Sequence, residues 1–528
     1  MAAGLAAVAT ILVVLALSRR WWPVGDQAII VSEINDVGGT TPLVGSFSRF
    51  GWRHPGPWMY WLLALPYRLG GGTPNAVNVG VAFVQIGAAS ATCRVAWRRG
   101  GVRLLAVAGA ALMLMLRSLG PALLVDPWNP WVPILPFVLF LFFAWDTACG
   151  RRWSVVPTVA LGSFVAQCHV GYLAPAVVIG LWSVVALLVW SRDRDAAPWA
   201  FVAPVGVAAL FVAWIGPVWE QFTRPDGNVG LLANFFLHGQ VAPGAGAEPG
   251  VPVGVSAAAS LLSREVMGVP WAGGAEPPSF FSIEGLPPLF LLVPVALLLL
   301  VAVVGFRADR PDRVLGAATA LVGLGAAGLS LSRVSGGTPD WIVRFTWPIA
   351  LFATVMVVWG LVEWVVSWST RTSFIVEPIV VGVALAVSVL SIGQIGVAAR
   401  SAALPGDGSA EGMAAIADPV AAWIAGRGLG SVTVSPLGGG GGEDAGLLLE
   451  LHRRGIDARA GAFFAPAWPS HRRAGTTDAS LVVVGGEKAI DEVAARPDHE
   501  LIVRSPGTDG AVAVFALPAP APAPTAGG

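Results

Sequence analysis

Six side chains able to take a proton or hold an anion are gathered between Trp21 and Tyr67: Asp26, Glu33, Asp36, Arg49, Arg53 and His54. Only 12% of the 528 residues are charged, so this density is a local signal. One carboxylate can take the proton from an attacking hydroxyl. Guanidinium groups can hold a departing phosphate, arginine doing so bidentately. The stretch reads WWPVGDQAIIVSEINDVGGTTPLVGSFSRFGWRHPGPWMYWLLALPY, with large apolar side chains interleaved throughout. Loops longer than about 15 residues are usually functional or disordered, and this composition argues for function.

Three further motifs carry candidate chemistry. His54-Pro55-Gly56-Pro57 follows FSRFGW and sets Arg49, Arg53 and His54 as donors beside aromatic rings. A proline-rich turn opening a surface helix would account for the prolines alone. In Asp126-Pro127-Trp128-Asn129-Pro130-Trp131, a turn cap explains Asp126 but not two tryptophans around an asparagine. Gln167-Cys168-His169-Val170-Gly171-Tyr172 marks a tight turn. It reads either as interfacial polar residues with Tyr172 in an aromatic belt, or as Gln167, His169 and Tyr172 facing one aqueous surface. Residues 438–442 imitate a nucleotide loop but lack the Lys-Ser/Thr that would hold phosphate, so they read as a flexible turn.

The elements that must present these residues are membrane helices. With 55% hydrophobic residues and a mean hydropathy of +0.71, the chain reads as a polytopic α-helical membrane protein. Apolar runs at 2–17, 74–93, 104–118, 131–147, 153–169, 171–190, 199–217, 285–305, 314–331, 346–367 and 375–397 predict about eleven spans. The first is an uncleaved span, because no basic segment precedes it and Arg19-Arg20 stand where a cleavage site would. Arginine in short loops sets the orientation. Arg94, Arg98, Arg99 and Arg103, then Arg151 and Arg152, then Arg192 and Arg194, then Arg307, Arg310, Arg313 and Arg371 mark the inner face. The N-terminus is then cytoplasmic, and loops 21–73, 119–130 and 218–284 and the C-terminal region are extracytoplasmic. Arg19 and Arg20 fall outside against the rule, either snorkelling or at a lipid phosphate. Residues 26–37 and 57–69 predict two short helices along the membrane surface. Glu363 and Glu377 sit at inner span ends, where helix-end effects suffice.

The predicted domains are a membrane domain, 1–397, with first extracytoplasmic loop 21–73, then a small extracytoplasmic α/β domain, 398–517, then a Pro/Ala-rich disordered tail, 518–528. Strands are expected at 431–435, 456–461, 480–486 and 500–505, with helices near 443–454 and 487–495. Three cysteines are too few and scattered for a disulfide framework or thiolate metal site. Zero net charge gives no field for nucleic acid.

Taken together, the acidic residue just after the first span (Gly25-Asp26), two loop helices, an acidic second outside loop (Asp126) and a C-terminal outside domain resemble the GT-C-fold membrane glycosyltransferases. The segments SRFGWRHPGP, DPWNPW and QCHVGY are similar to those of uncharacterised actinobacterial members of that superfamily. The resemblance implies a plasma-membrane enzyme of cell-wall biogenesis. It would move a hexosyl or pentosyl unit from a polyprenyl-phosphate donor to an envelope glycan, glycolipid or protein, with inversion. It implies Asp26 and Asp126 as catalytic carboxylates and Arg49, Arg53, His54, Trp128, Asn129, Gln167, His169 and Tyr172 as substrate-binding residues. Arg19 and Arg20 would lie near the donor phosphate. The Asp-Glu or Asp-X-Asp pair of several branches is absent, since Gln27 follows Asp26; no cofactor is implied, and a divalent metal is left open. A transporter or flippase of lipid-linked saccharides would need polar residues at the membrane midplane and an internal repeat, and neither is present. A non-catalytic partner in envelope assembly is the third reading.

Overall fold

The computed structural model describes residues 1–190, 199–242, 247–248, 250–274, 279–404, 407–437, 442–461, 465–473, 475–505 and 510–517. Arg192, Arg194, most of the 438–442 glycine run and the 518–528 tail lie outside them. The chain packs as two compact units that do not follow its linear order: 1–17, 42–63 and 78–402 form one, and 18–41, 64–77 and 403–528 the other.

The first unit is a helical bundle, and all eleven apolar runs are helical in it. Seven helices are long and apolar enough to cross a membrane, among the described residues. The count falls below eleven partly because Pro74–Val125 carries two of the expected spans. Gly100 and Gly101 break it, and Gly101 has φ 60, a conformation only glycine adopts without strain. Ala2–Leu17, Ile134–Ala148 and Val155–Cys168 are the short ones, at 16, 15 and 14 residues.

Ile134–Ala148 is apolar on every face, and all of its residues but Phe143 are buried. A helix of that kind has to lie inside a bundle. It is packed by Val155–Cys168, Leu173–Trp190, Pro311–Ser332 and Trp347–Val366. Trp199–Thr223, Leu292–Arg307 and Thr370–Ser401 instead leave Phe201, Phe211, Leu300, Leu385 and Leu390 exposed, as lipid-facing helices do.

One end of the bundle is locked by charge. Asp146, fully buried, receives Arg98, Arg99 and Ser154, and Arg99 Nη2 also donates to its backbone carbonyl at 2.9 Å. Glu363 is paired with Arg103 at 3.2 Å and Arg313 at 3.0 Å, and Glu377 with Arg103 at 3.3 Å. These two glutamates therefore hold specific partners, beyond the helix-end effects expected of them.

The second unit is an α/β domain with a five-stranded sheet, β1 Ser431–Leu437, β2 Asp457–Ala460, β3 Ala479–Gly485, β4 Glu500–Ser505 and β5 Val512–Leu517. The order is β2-β1-β3-β5-β4. β2, β1 and β3 run parallel, whereas β5 is antiparallel to both β3 and β4. Four strands fall where the alternation predicts them; β5 does not figure in that reading. Val482, Val484, Ile490, Val493, Ala513 and Phe515 fill one face of the sheet.

The Gly25–Asp36 helix belongs to this unit and packs on Glu443–Arg453. Eight of its twelve residues are buried, so it is a packed element and not a helix lying free along a surface. Asp36 receives Arg472, with Nε at 3.1 Å, and His471 at 3.2 Å. Arg20 binds Glu450 at 3.0 Å and stacks on Trp22 at 3.8 Å.

Candidate functional site

In the bundle, three of the motifs converge. Residues 45–54 fold back on themselves: Gly45 N donates to His54 O at 2.9 Å, His54 N to Ser46 O at 2.8 Å and Ser48 N to Trp52 O at 2.8 Å. Arg49, near the tip, donates to Gly336 O at 3.1 Å. Asn228 clamps the second arm, accepting from Arg53 N at 2.7 Å and donating to Arg53 O at 2.9 Å. The Arg53 guanidinium turns back to Gly45 O at 3.4 Å. Phe50 and Trp52 pack with Leu232 and Phe235, which fixes the arm that carries His54.

His54 meets the 167–172 turn. Val170 N donates to His54 Nδ1 at 3.0 Å and Gly171 N to His169 Nδ1 at 3.2 Å. The two imidazole rings are 4.6 Å apart and tilted by 32°. Burial, and to a lesser degree His169, holds His54 well below the usual histidine range. Gly56 explains its own place in the turn: a Cβ there would overlap the Gln167 carboxamide. Gln167 Nε2 donates to Ala213 O at 2.7 Å, and its Oε1 is buried without a partner among the described residues.

The 126–131 loop closes against the same turn. Asn129 Nδ2 donates to Cys168 O at 3.2 Å and Tyr172 OH to Pro130 O at 3.5 Å. Asp126 Oδ1 accepts from Trp128 N at 2.9 Å, which is the turn cap that its type and position allow. Trp128 packs against Trp131 and Trp341 at 5.4 and 5.1 Å.

Beside these rings is a charged group that sequence reasoning missed. Arg344 lies over Trp131 at 5.2 Å and Trp347 at 4.7 Å and pairs with Asp340 at 2.7 Å. Trp347 Nε1 donates to Glu265 Oε2 at 2.6 Å, and burial pushes the Glu265 carboxyl up. The three charges come from segments separated by up to about eighty residues, so no local spacing announced them.

Asp26 belongs to the other unit. It is exposed in the first turn of the Gly25–Asp36 helix, where amide dipoles favour negative charge. Gly25 N donates to Gly442 O at 2.9 Å. A Cβ on Gly442 would stand 2.5 Å from the Gly25 backbone, so the close approach requires glycine at 442. The next residues are Glu443 and Asp444, which open the Glu443–Arg453 helix. Glu443 Oε2 is buried without a partner among the described residues. Of the rival carboxylates, Glu33 is buried and Asp36 is held by Arg472. No group of three or more His, Cys, Asp or Glu able to hold a metal ion occurs among the described residues.

Burial pushes the Asp444 carboxyl up to about 6 from an ordinary 3.8. A raised folded value means the native state binds the proton more tightly than the unfolded chain. The stability this contributes is full below the unfolded value and is lost as pH rises through about 6. Between pH 4.5 and pH 7 the group should remove about 2 kcal/mol. Asp444→Asn is expected to abolish that component, measured as the difference between variant and parent in urea midpoints across the range. Parallel profiles would contradict the assignment.

No protein-family model matches the chain, and no curated protein matches it by sequence. Solved structures that share its fold include ArnT from Cupriavidus metallidurans in the apo state and the same protein bound to undecaprenyl phosphate. Each is 14% identical, with 97% of both chains covered and TM-scores of 0.54 and 0.55. The GT-C fold expected from the sequence is therefore the fold observed.

Proposed function

We propose that this chain is an inverting membrane glycosyltransferase that moves a sugar from a polyprenyl-phosphate donor to an envelope acceptor. The observation that carries the reading is the likeness over 97% of both chains to a protein solved with undecaprenyl phosphate. The convergence of the His54, Asn129 and Gln167-to-Tyr172 segments in the bundle supports it, because it gathers polar and aromatic side chains suited to a sugar.

In this reading the acceptor oxygen attacks the anomeric carbon and the carbon–oxygen bond to phosphate breaks. The electron pair leaves on the phosphate, which needs no general acid. Asp26 takes the acceptor proton. Arg49 and Arg53 serve the phosphate, and Trp128, Asn129, Gln167, His169 and Tyr172 serve the sugar and acceptor. Asp126 positions its own loop. Arg20, engaged by Glu450, is the weaker candidate for donor phosphate, with Arg19 beside it.

The test is transfer of radiolabelled sugar from a panel of polyprenyl-phosphate sugars by the purified protein in lipid. Absence of transfer from every donor to envelope extracts would overturn the reading.

The orientation proposed with it places the N-terminus in the cytoplasm and residues 21–73 and 398–528 outside. Thr40 is exposed and the three native cysteines are buried, so Thr40→Cys gives a clean reporter. It should react with a membrane-impermeant maleimide in intact cells. Reaction only after lysis would reverse the topology.

A further inference from the structure

We infer that His54 and His169 form a pair of neutral, tautomer-fixed donors that hold the oxygens of an uncharged saccharide. The inference deepens the glycosyltransferase reading and rests on it for the carrier of that saccharide.

The tautomer follows from the backbone. Val170 N–H and Gly171 N–H point at the two Nδ1 atoms, at 3.0 and 3.2 Å. A ring nitrogen that accepts a hydrogen bond carries no proton, so the proton of each neutral ring sits on Nε2. Neither Nε2 hydrogen-bonds to any described residue. The two ring centroids are 4.6 Å apart.

The surroundings select the ligand. Trp52 meets His54 edge-on at 5.4 Å and Tyr172 meets His169 edge-on at 6.3 Å. Apolar and aromatic walls with a few placed polar groups are the usual lining for an uncharged ligand. The bland alternative is that both rings only cap the start of the Val170–Trp190 span.

Side-chain mimicry separates the two. Asn reproduces an acceptor near the Nδ1 position, and Gln reproduces a donor near Nε2. His54→Asn should fold normally yet raise the KM for the sugar donor about tenfold, the size of one lost hydrogen bond. His54→Gln, which keeps a donor near Nε2, should recover most of that loss relative to His54→Asn. An Asn variant like the parent, with Gln impaired, would show a cap and overturn the inference.

A second readout does not depend on turnover. The chain has six histidines, few enough to resolve after 15N-histidine labelling in nanodiscs. Three rings should show the Nε2–H pattern unchanged from pH 5.5 to 8: His452, whose Nε2 faces Ala458 O, and the His54–His169 pair. The Nε2 signals of that pair should move on adding octyl glycosides and stay still with inorganic phosphate or undecaprenyl phosphate. A response to phosphate alone, or protons on Nδ1, would overturn the inference. Glycoside-induced shifts in a protein that transfers nothing would leave the pair standing and remove the enzyme.

Discussion

Replacing Asp26 by asparagine is expected to lower sugar transfer about 10²–10⁴-fold, the usual contribution of a general base. The carboxylate is exposed in the first turn of its helix, so the neutral side chain should leave the fold intact. Donor binding should survive, which puts the loss in kcat with little change in KM. The control is not Asp36→Asn alone. Asp36 accepts Arg472 and His471, so its removal would weaken the packing of the whole Gly25–Asp36 helix. Loss of activity there with a lowered unfolding midpoint reports structure. Near-normal transfer by Asp26→Asn, with Asp36→Asn inactive at an unchanged midpoint, would make Asp36 the base.

The second large effect is expected at the opposite end of the central helix. Ile134–Ala148 is about 22 Å long at the helical rise, with the 126–131 loop before it and Asp146 near its other end. Asp146→Ala leaves Arg98 and Arg99 beside a buried position with no carboxylate. Removing one partner of a buried ion pair costs about 3–5 kcal/mol. The half-exposed Arg98 can partly rehydrate, which puts the expected loss at the low end of that range. Thermal unfolding in detergent measures it. Restoring the balance with Arg99→Ala in the same chain should recover part of the loss. A midpoint unchanged in the single variant would mean that the arginines carry no structural load.

Much of the architecture was legible because its cause is local. Each apolar run exceeds what a soluble helix tolerates, and each is a helix. β1 to β4 follow from alternating β-branched residues between glycine and polar turns. β5 was missed because AVAVFAL runs directly into the Pro/Ala tail and looks like part of it. His54, Asn129, His169 and Tyr172 were found because polar and aromatic residues are conspicuous between apolar runs.

The partners of those residues were not legible. Nothing near Asp36 announces Arg472, which lies over four hundred residues away and reaches it only because the Gly25–Asp36 helix packs in the α/β unit. A helix near 443–454 was expected, but that Glu443 and Asp444 stand beside Gly25 follows only from the contact of the Gly25 and Gly442 backbones. Arg344 did not figure in the sequence reading, and only folding set it against two tryptophan rings. The sequence by itself determined where helices and strands form, because hydrophobic periodicity acts within a few residues. The tertiary structure decided which charges are paired and which nitrogens of His54 and His169 carry protons, because those depend on atoms that are distant along the chain and near only in space.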